Sequence, residues 1–315
     1  MKRKTIVTVT LNAAVDRTYY VPKHVKGTVM RVQNMKAIAG GKGNNVARVL
    51  RRLGHEQVIA TGFSAGWNGQ FLEADLNADG IEVDYVQVPG ESRLCLNIMD
   101  EQDGSSTELL EPGPEISVSA LERLQDKIRG YAETAGVIVL SGSIPPGLPQ
   151  IVYRDLIQIA GAHGAKVLLD TSGEGLRNGL DAAPTFVKPN EDEVKLFQTG
   201  TNGEEIPLED IVGTWLRQGV RHVAVTLGGQ GALIGWNSRL YRLEIPPLQT
   251  MNTVGCGDAF TGGFAFGITR SWSAEECFKY AAAAGSANSL TPYAGDVRMH
   301  DVERLLPQIR LTKIG

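Results

Sequence analysis

The sequence predicts an α/β fold: a mostly parallel central sheet with crossover helices, and a small second β-sheet set over it as a lid. Three observations carry this. Short apolar, β-branched runs alternate with helix-periodic stretches along most of the chain, as strands and crossover helices do. Several runs end in polar or glycine-bearing turns, among them Leu140-Ser141-Gly142-Ser143 and Thr226-Leu227-Gly228-Gly229, and parallel sheets bind ligands at those carboxyl ends. Two regions, about 12–38 and 83–112, break the rhythm with short extended runs. These supply the strands of the lid, read as antiparallel.

In chain order, the expected strands of the main sheet are Ile6–Leu11, Val58–Gly62, Val137–Ser141, Val167–Asp170, Thr185–Lys188 and Val223–Leu227. The expected helices are Asn44–Leu53 closed by Gly54, Ala120–Tyr131, Val152–Ala162 closed by Gly164, Ala259–Ile268 and Ala274–Asn288. Glycine just past a last turn is a stop signal because it accepts a left-handed conformation. Tyr85–Val88, Leu94–Met99 and Thr107–Leu110 are assigned to the lid. With 315 residues, 42% hydrophobic, and no repeat, low-complexity stretch or linker, the chain is read as one domain, 1–315, with a substantial core.

Composition narrows the function. A formal net charge of -4 offers no positive footprint for nucleic acid or an acidic membrane. The apolar run near the N-terminus is cut by Asn12, Asp16 and Arg17 before it reaches signal or spanning length, so a cytoplasmic protein is expected. Cys95, Cys256 and Cys277 fit neither a metal spacing nor a disulfide framework and are expected as free thiols. Glycine is abundant, 37 residues against an average share of roughly 7%, and clustered. Such clusters suggest backbone that approaches a ligand.

The strongest local signal is Thr253-Val254-Gly255-Cys256-Gly257-Asp258, just ahead of an apolar helix. Glycines there let the first, unpaired helix N–H groups face an anion, and the helix dipole favours negative charge. Phosphoryl transfer needs such donors, because charge spreads over the equatorial oxygens in the transition state. Asp258 would take the proton of an attacking hydroxyl, as a weak base that late proton transfer makes sufficient. The alternative is a plain turn with Asp258 capping the helix. Gly40-Gly41-Lys42-Gly43-Asn44-Asn45 also precedes a helix and is a second phosphate site in principle, or a turn with a solvated lysine. It matches neither a Walker loop nor a dinucleotide fingerprint. In Lys188-Pro189-Asn190-Glu191-Asp192-Glu193, the pair Asn190 and Glu193 could orient Mg²⁺ through water or form a capping box. Thr226 to Ala232 reads as a strand, a glycine turn and a strand, suited to a nucleotide or simply a hairpin. Arg93 and Arg31 could pair with a substrate phosphate, whereas Arg48, Arg51 and Arg52 read as a solvated helix face.

Taken together and in this order, these segments resemble the ribokinase-like sugar kinases of the PfkB family over nearly the whole chain. Ser141-Gly142-Ser143-Ile144-Pro145-Pro146-Gly147 matches a further family segment. Thr10-Leu11-Asn12-Ala13-Ala14-Val15-Asp16, the lysine of the first glycine loop, and Ser92-Arg93 followed by Asn97 are similar to the branch of 1-phosphofructokinase and tagatose-6-phosphate kinase. Ala13 departs from the branch's usual proline, Cys256 from alanine or serine, and Met30 from the asparagine that often precedes the arginine.

The resemblance implies a three-layer α/β/α sandwich and a kinase that moves the γ-phosphate of ATP to a ketohexose phosphate, tagatose 6-phosphate or fructose 1-phosphate. It implies that Asp258 is the catalytic base beside the Gly255, Cys256 and Gly257 amides. Asp16, Gly40, Gly41, Asn45 and Ser141 would form the sugar site, and Lys42 and Arg93 would hold the existing phosphate. Lys188, Asn190, Thr226, Gly228, Gly231 and Asn288 would line the nucleotide, with Asn190 and Glu193 organising Mg²⁺ through water. A homodimer through the lid is a further expectation. The competing readings are a kinase of an unphosphorylated sugar or nucleoside on the same fold, and a noncatalytic nucleotide-binding protein.

Overall fold

The computed structural model describes residues 4–199 and 204–314. Its main sheet has eleven strands. Seven run parallel from one edge: Glu82–Val83, Val58–Ala65, Ile6–Thr10, Val137–Ser141, Lys166–Asp170, Phe186–Val187 and His222–Thr226. Ala232–Trp236, Arg239–Glu244 and Arg310–Ile314 extend the sheet antiparallel at the other edge, and Val86–Val88 adds a short parallel pairing to Val58–Ala65.

Strand side chains alternate between faces, and the core divides accordingly. Ile6, Val137 and Val139 pack with Val46, Leu50, Phe264 and Ala281 on one face. Val7, Ile138 and Leu140 pack with Leu124, Ile128, Tyr153 and Trp215 on the other. Helices therefore cover both faces, giving the three-layer sandwich. Helix Val152–Ala162 and helix Ala274–Asn288 match the sequence reading end for end. The latter starts with Ser273 and Glu276 in a capping box, which satisfies two of its orphan N–H groups.

The lid is a sheet of four strands, Asn34–Gly40, Ala14–Val21, Arg93–Asp100 and Ser106–Leu110 in spatial order. Two expectations need correction here. The lid is mixed rather than antiparallel, because its central pair, Ala14–Val21 with Arg93–Asp100, is parallel. The chain leaves the lid for the main sheet between these strands and re-enters in the same direction, as a crossover requires. Tyr85–Val88 does not belong to the lid. Val86 and Val88 are buried, and their strand lies along the main sheet.

Register brings the site together. Thr10 is level with Gly62 on one side and Ser141 on the other, and Ser141 is level with Asp170. Helix Lys42–Arg52 and helix Cys256–Thr269 begin close to this row of strand ends. No helix among the described residues is long and apolar enough to cross a membrane.

Candidate active site

A cleft of about 1080 Å³ runs between the lid and the carboxyl ends of the main strands. Asp16, Arg93 and Cys95 line it from the lid, and Thr226, Gly228 and Gly231 from the far end. Gly41, Lys42, Asn45 and the Thr253–Asp258 segment lie between.

Helix Cys256–Thr269 starts on Gly255, which is left-handed at φ 82° and has no side-chain cap. An alanine there would be strained, and its Cβ would stand 2.7 Å from that of Ala294. Asp258 is the third residue of this helix, not its cap. Its Oδ2 accepts from Asn45 Nδ2 at 2.8 Å. The capping alternative thus gives way to a buried carboxylate beside uncapped helix amides.

The weak-base expectation for Asp258 also changes. Burial raises its pKa to about 7, helped by the negative charge of Asp170 and opposed by Lys42, the Asn45 hydrogen bond and Lys188. Loss of water outweighs the Asn45 hydrogen bond and both ammonium groups.

Asp170 was not singled out from the sequence, yet it organises the centre. It is fully buried at the end of Lys166–Asp170. Its Oδ1 meets Lys42 Nζ at 2.9 Å, while Oδ2 meets Lys188 Nζ at 3.2 Å and accepts from the Thr261 hydroxyl at 3.1 Å. Burial alone would raise its pKa, but Lys188 and Lys42 hold it below the ordinary carboxylate range. Lys42 also meets Glu193 Oε1 at 3.2 Å. Burial works against its charge, and Asp170, Glu193 and Asp258 hold its pKa above the usual lysine range. Lys42 is therefore enclosed by carboxylates at the centre of the cleft. The sequence signal for Asp170 was a polar residue closing an apolar strand at the ligand-binding end of the sheet.

Around this centre the remaining positions fall as follows. Burial pushes Asp16 up to about 6 against the pull of Arg93 and Arg48. Arg93 donates to the main-chain oxygen of Asn12 at 3.1 Å and lines the cleft, whereas Arg31 is exposed and outside it. Gly40 lies directly behind Asp16, where a Cβ would collide with the carboxyl. Ser141 is wholly buried beneath the cleft, its hydroxyl unpartnered, and the Oδ1 of Asn45 is likewise without a donor.

Asn190 and Glu193 form the reciprocal capping box, Glu193 N–H donating to Asn190 Oδ1 at 2.8 Å and Asn190 N–H to Glu193 Oε2 at 2.9 Å. Thr226 to Ala232 forms the hairpin, and its glycine turn faces the cleft. Asn288 does not line the cleft. Its amide is buried, donating to Val254 O at 2.9 Å and accepting from Gly295 N–H at 2.9 Å, so it braces the Gly255 loop from behind. Arg48 is not on a solvated face: it is 5% exposed, with Nη2 2.9 Å from Asp75 and Nε 2.7 Å from Asp79. Those acids come from the neighbouring helix Gly66–Ala78 and the residue after it, which the local sequence does not disclose. Cys95, Cys256 and Cys277 are free thiols.

An uncapped helix N-terminus, a buried carboxylate whose pKa is pushed up to about 7 and two lysines sharing one aspartate are groups that phosphoryl transfer can use, gathered at a cleft under the lid. Residues 5–299 match the pfkB family of carbohydrate kinases, and the chain belongs to that family, in which ATP is the co-substrate. It is 33% identical over 312 residues to a tagatose-6-phosphate kinase of Staphylococcus epidermidis, covering 98% of this chain and all of that one. The tetrameric inhibited form of Escherichia coli phosphofructokinase-2 superposes with a TM-score of 0.88 at 27% identity, covering 96% of this chain and 98% of that one. A Thermotoga maritima ribokinase shares the fold, with a TM-score of 0.77 at 19% identity over 96% and 99% of the two chains.

Proposed function

We propose that this chain is an ATP-dependent phosphosugar kinase that transfers the γ-phosphate to a hydroxyl of a ketohexose phosphate, tagatose 6-phosphate or fructose 1-phosphate, giving the bisphosphate. The observation that carries the reading is Asp258, a buried carboxylate whose pKa is pushed up to about 7, beside a helix N-terminus that no side chain caps and within the field of Lys42 and Lys188.

In this mechanism the sugar lies under the lid, with Asp16 and the unpartnered Oδ1 of Asn45 accepting its hydroxyls. Arg93 holds the existing phosphate. Asp258 accepts the proton of the attacking hydroxyl while the Gly255, Cys256 and Gly257 amides and Lys42 stabilise charge on the transferring group. Lys188, Thr226, Gly228 and Gly231 take the nucleotide, and closure of the lid keeps water from competing. Lys42 thereby serves the transferring phosphoryl group from its place between Asp170 and Glu193, as well as the sugar phosphate.

Asn190, Glu193 and Asp170 present hard oxygens suited to Mg²⁺, but their side chains are already engaged with one another or with lysines. Among the described residues no group of three or more acidic, histidine or cysteine side chains could hold a metal. Mg²⁺ fits as a partner of the triphosphate met through water, and it would neutralise phosphate charge there.

The test is ADP release with Mg-ATP over tagatose 6-phosphate, fructose 1-phosphate, fructose 6-phosphate, fructose and ribose. Turnover confined to phosphosugars supports the reading, turnover only on free sugars reassigns Lys42 and Arg93, and no turnover on any of them points to a noncatalytic protein.

A further inference from the structure

One flank of the cleft is closed by a contact between the lid and the loop behind the anion-binding amides. Tyr293 stands in segment 291–296, which is pinned on several sides. The buried Thr291 hydroxyl lies 2.9 Å from Asn288 O and 2.8 Å from Asp296 O. Asn288 Oδ1 accepts from Gly295 N–H, and Asn252 Nδ2 donates to Pro292 O at 3.0 Å. Ala294 lies so close beneath Gly255 that no Cβ fits between them. The backbone that carries Tyr293 is thus one unit with the Gly255 loop.

The Tyr293 side chain reaches the other way, into the lid. Lys36 Nζ sits 3.3 Å from the centre of its ring. The Tyr20 hydroxyl faces it too, held above the ordinary phenol range by burial and by Tyr293. Thr18 is opposite Lys36 and Asp16 opposite Ile38 in the antiparallel ladder. Alternate and directly opposed residues share a face, so Asp16, Thr18, Tyr20 and Lys36 all project from the cleft side of the lid. Lys36, Thr18, Asp16 and Tyr293 line the cleft together.

We propose that Tyr293 and Lys36 form a clasp that fixes the lid, and with it Asp16, at a set distance from the Gly255–Gly257 amides. They are positioning residues: the ring holds the ammonium, the ammonium holds strand Asn34–Gly40, and the strand pair holds the sugar-side carboxylate. Losing the clasp leaves both half-sites intact but lets the lid ride open, so sugar binding weakens and water reaches the phosphoryl group.

The experiment compares Tyr293→Leu, Tyr293→Phe, Lys36→Met and the Leu/Met double variant. Measurements are KM for the accepted phosphosugar and for ATP, ADP released per bisphosphate formed, and hydrogen exchange of strands Ala14–Val21 and Asn34–Gly40 without ligand. The kinetic arm rests on the phosphosugar-kinase reading; the exchange arm does not. Tyr293→Leu and Lys36→Met should each raise the sugar KM by about tenfold and leave the ATP KM within roughly twofold. They should also release excess ADP and speed lid exchange, with Tyr293→Phe close to wild type and the double variant no worse than either single. Losses that multiply in the double variant, or a Lys36→Met defect that Tyr293→Leu does not share, would mean that Lys36 acts on substrate by itself, and the clasp would be rejected. Unchanged lid exchange in Tyr293→Leu also rejects it, whereas wild-type protein that turns over no phosphosugar rejects the kinase reading instead.

Discussion

At the scale of single residues, the decisive quantity is the proton affinity of Asp258. With a pKa of about 7, the carboxylate form required of a base fills as pH rises from 6 to 8. The value of kcat/KM should therefore increase nearly tenfold per pH unit below neutrality and level off above it, rather than level off near pH 5 as an ordinary aspartate would allow. Asp258→Asn should lower kcat by about 10²–10⁴-fold with both KM values nearly kept. The same shift has a cost in stability. The folded state binds this proton more tightly than the unfolded chain, so the stabilisation is full below the ordinary carboxylate pKa and is lost as pH rises through about 7. Melting temperatures should accordingly favour the Asn variant over wild type at pH 8 and converge at acidic pH; the reverse order at pH 8 would contradict a raised pKa. Gly40→Ala addresses the sugar side. Its new Cβ would displace the Asp16 carboxyl, so steady-state kinetics should show a higher sugar KM with the ATP KM little changed.

At the scale of elements, Asp170 ties strand Lys166–Asp170 to Lys42 of one helix, Thr261 of another and Lys188 beyond the next strand. Asp170→Asn removes the shared counter-charge and leaves the almost fully buried Lys188 ammonium unpaired. A loss of about 3 kcal/mol in urea unfolding is expected, and a loss below about 1 kcal/mol would show that the lysines find other partners. This network also marks where reading the sequence stopped. The glycine loops and Asp258 stood out because turn chemistry and helix starts are local, Asp16 and the role of Arg93, both on lid strands, came through the family resemblance, and helix ends such as Val152–Ala162 follow from periodicity and Gly164. Asp170 and the buried Arg48 were not, because their roles depend on which strands and helices become neighbours. Lys42 was readable as a cation at a glycine loop, but not as one enclosed by two carboxylates from distant segments. The parallel centre of the lid was hidden for the same reason, since the two strands are brought side by side only after the main sheet has formed between them.

At the scale of the whole molecule, the lid presents an unusual outer surface. Strand Ser106–Leu110 is exposed along its entire length; Leu110 opens on the cleft, while Leu109 at 54% and Met35 at 55% stand open on the opposite face. An exposed edge strand that carries large apolar side chains tends to pair with another chain, and a second copy of this lid offers a complementary partner. We therefore expect a homodimer through the lid in solution, in which that edge is covered and the four-stranded sheet gains a neighbour. Sedimentation velocity should give a dimer at micromolar concentration for wild type. The variant carrying both Met35→Lys and Leu109→Lys should sediment as a monomer without loss of main-sheet stability, because neither residue belongs to the cores on the two faces of that sheet. If wild type remains monomeric across that range, the exposed lid edge serves the single chain, and the open leucines must be explained by motion of the lid over the cleft.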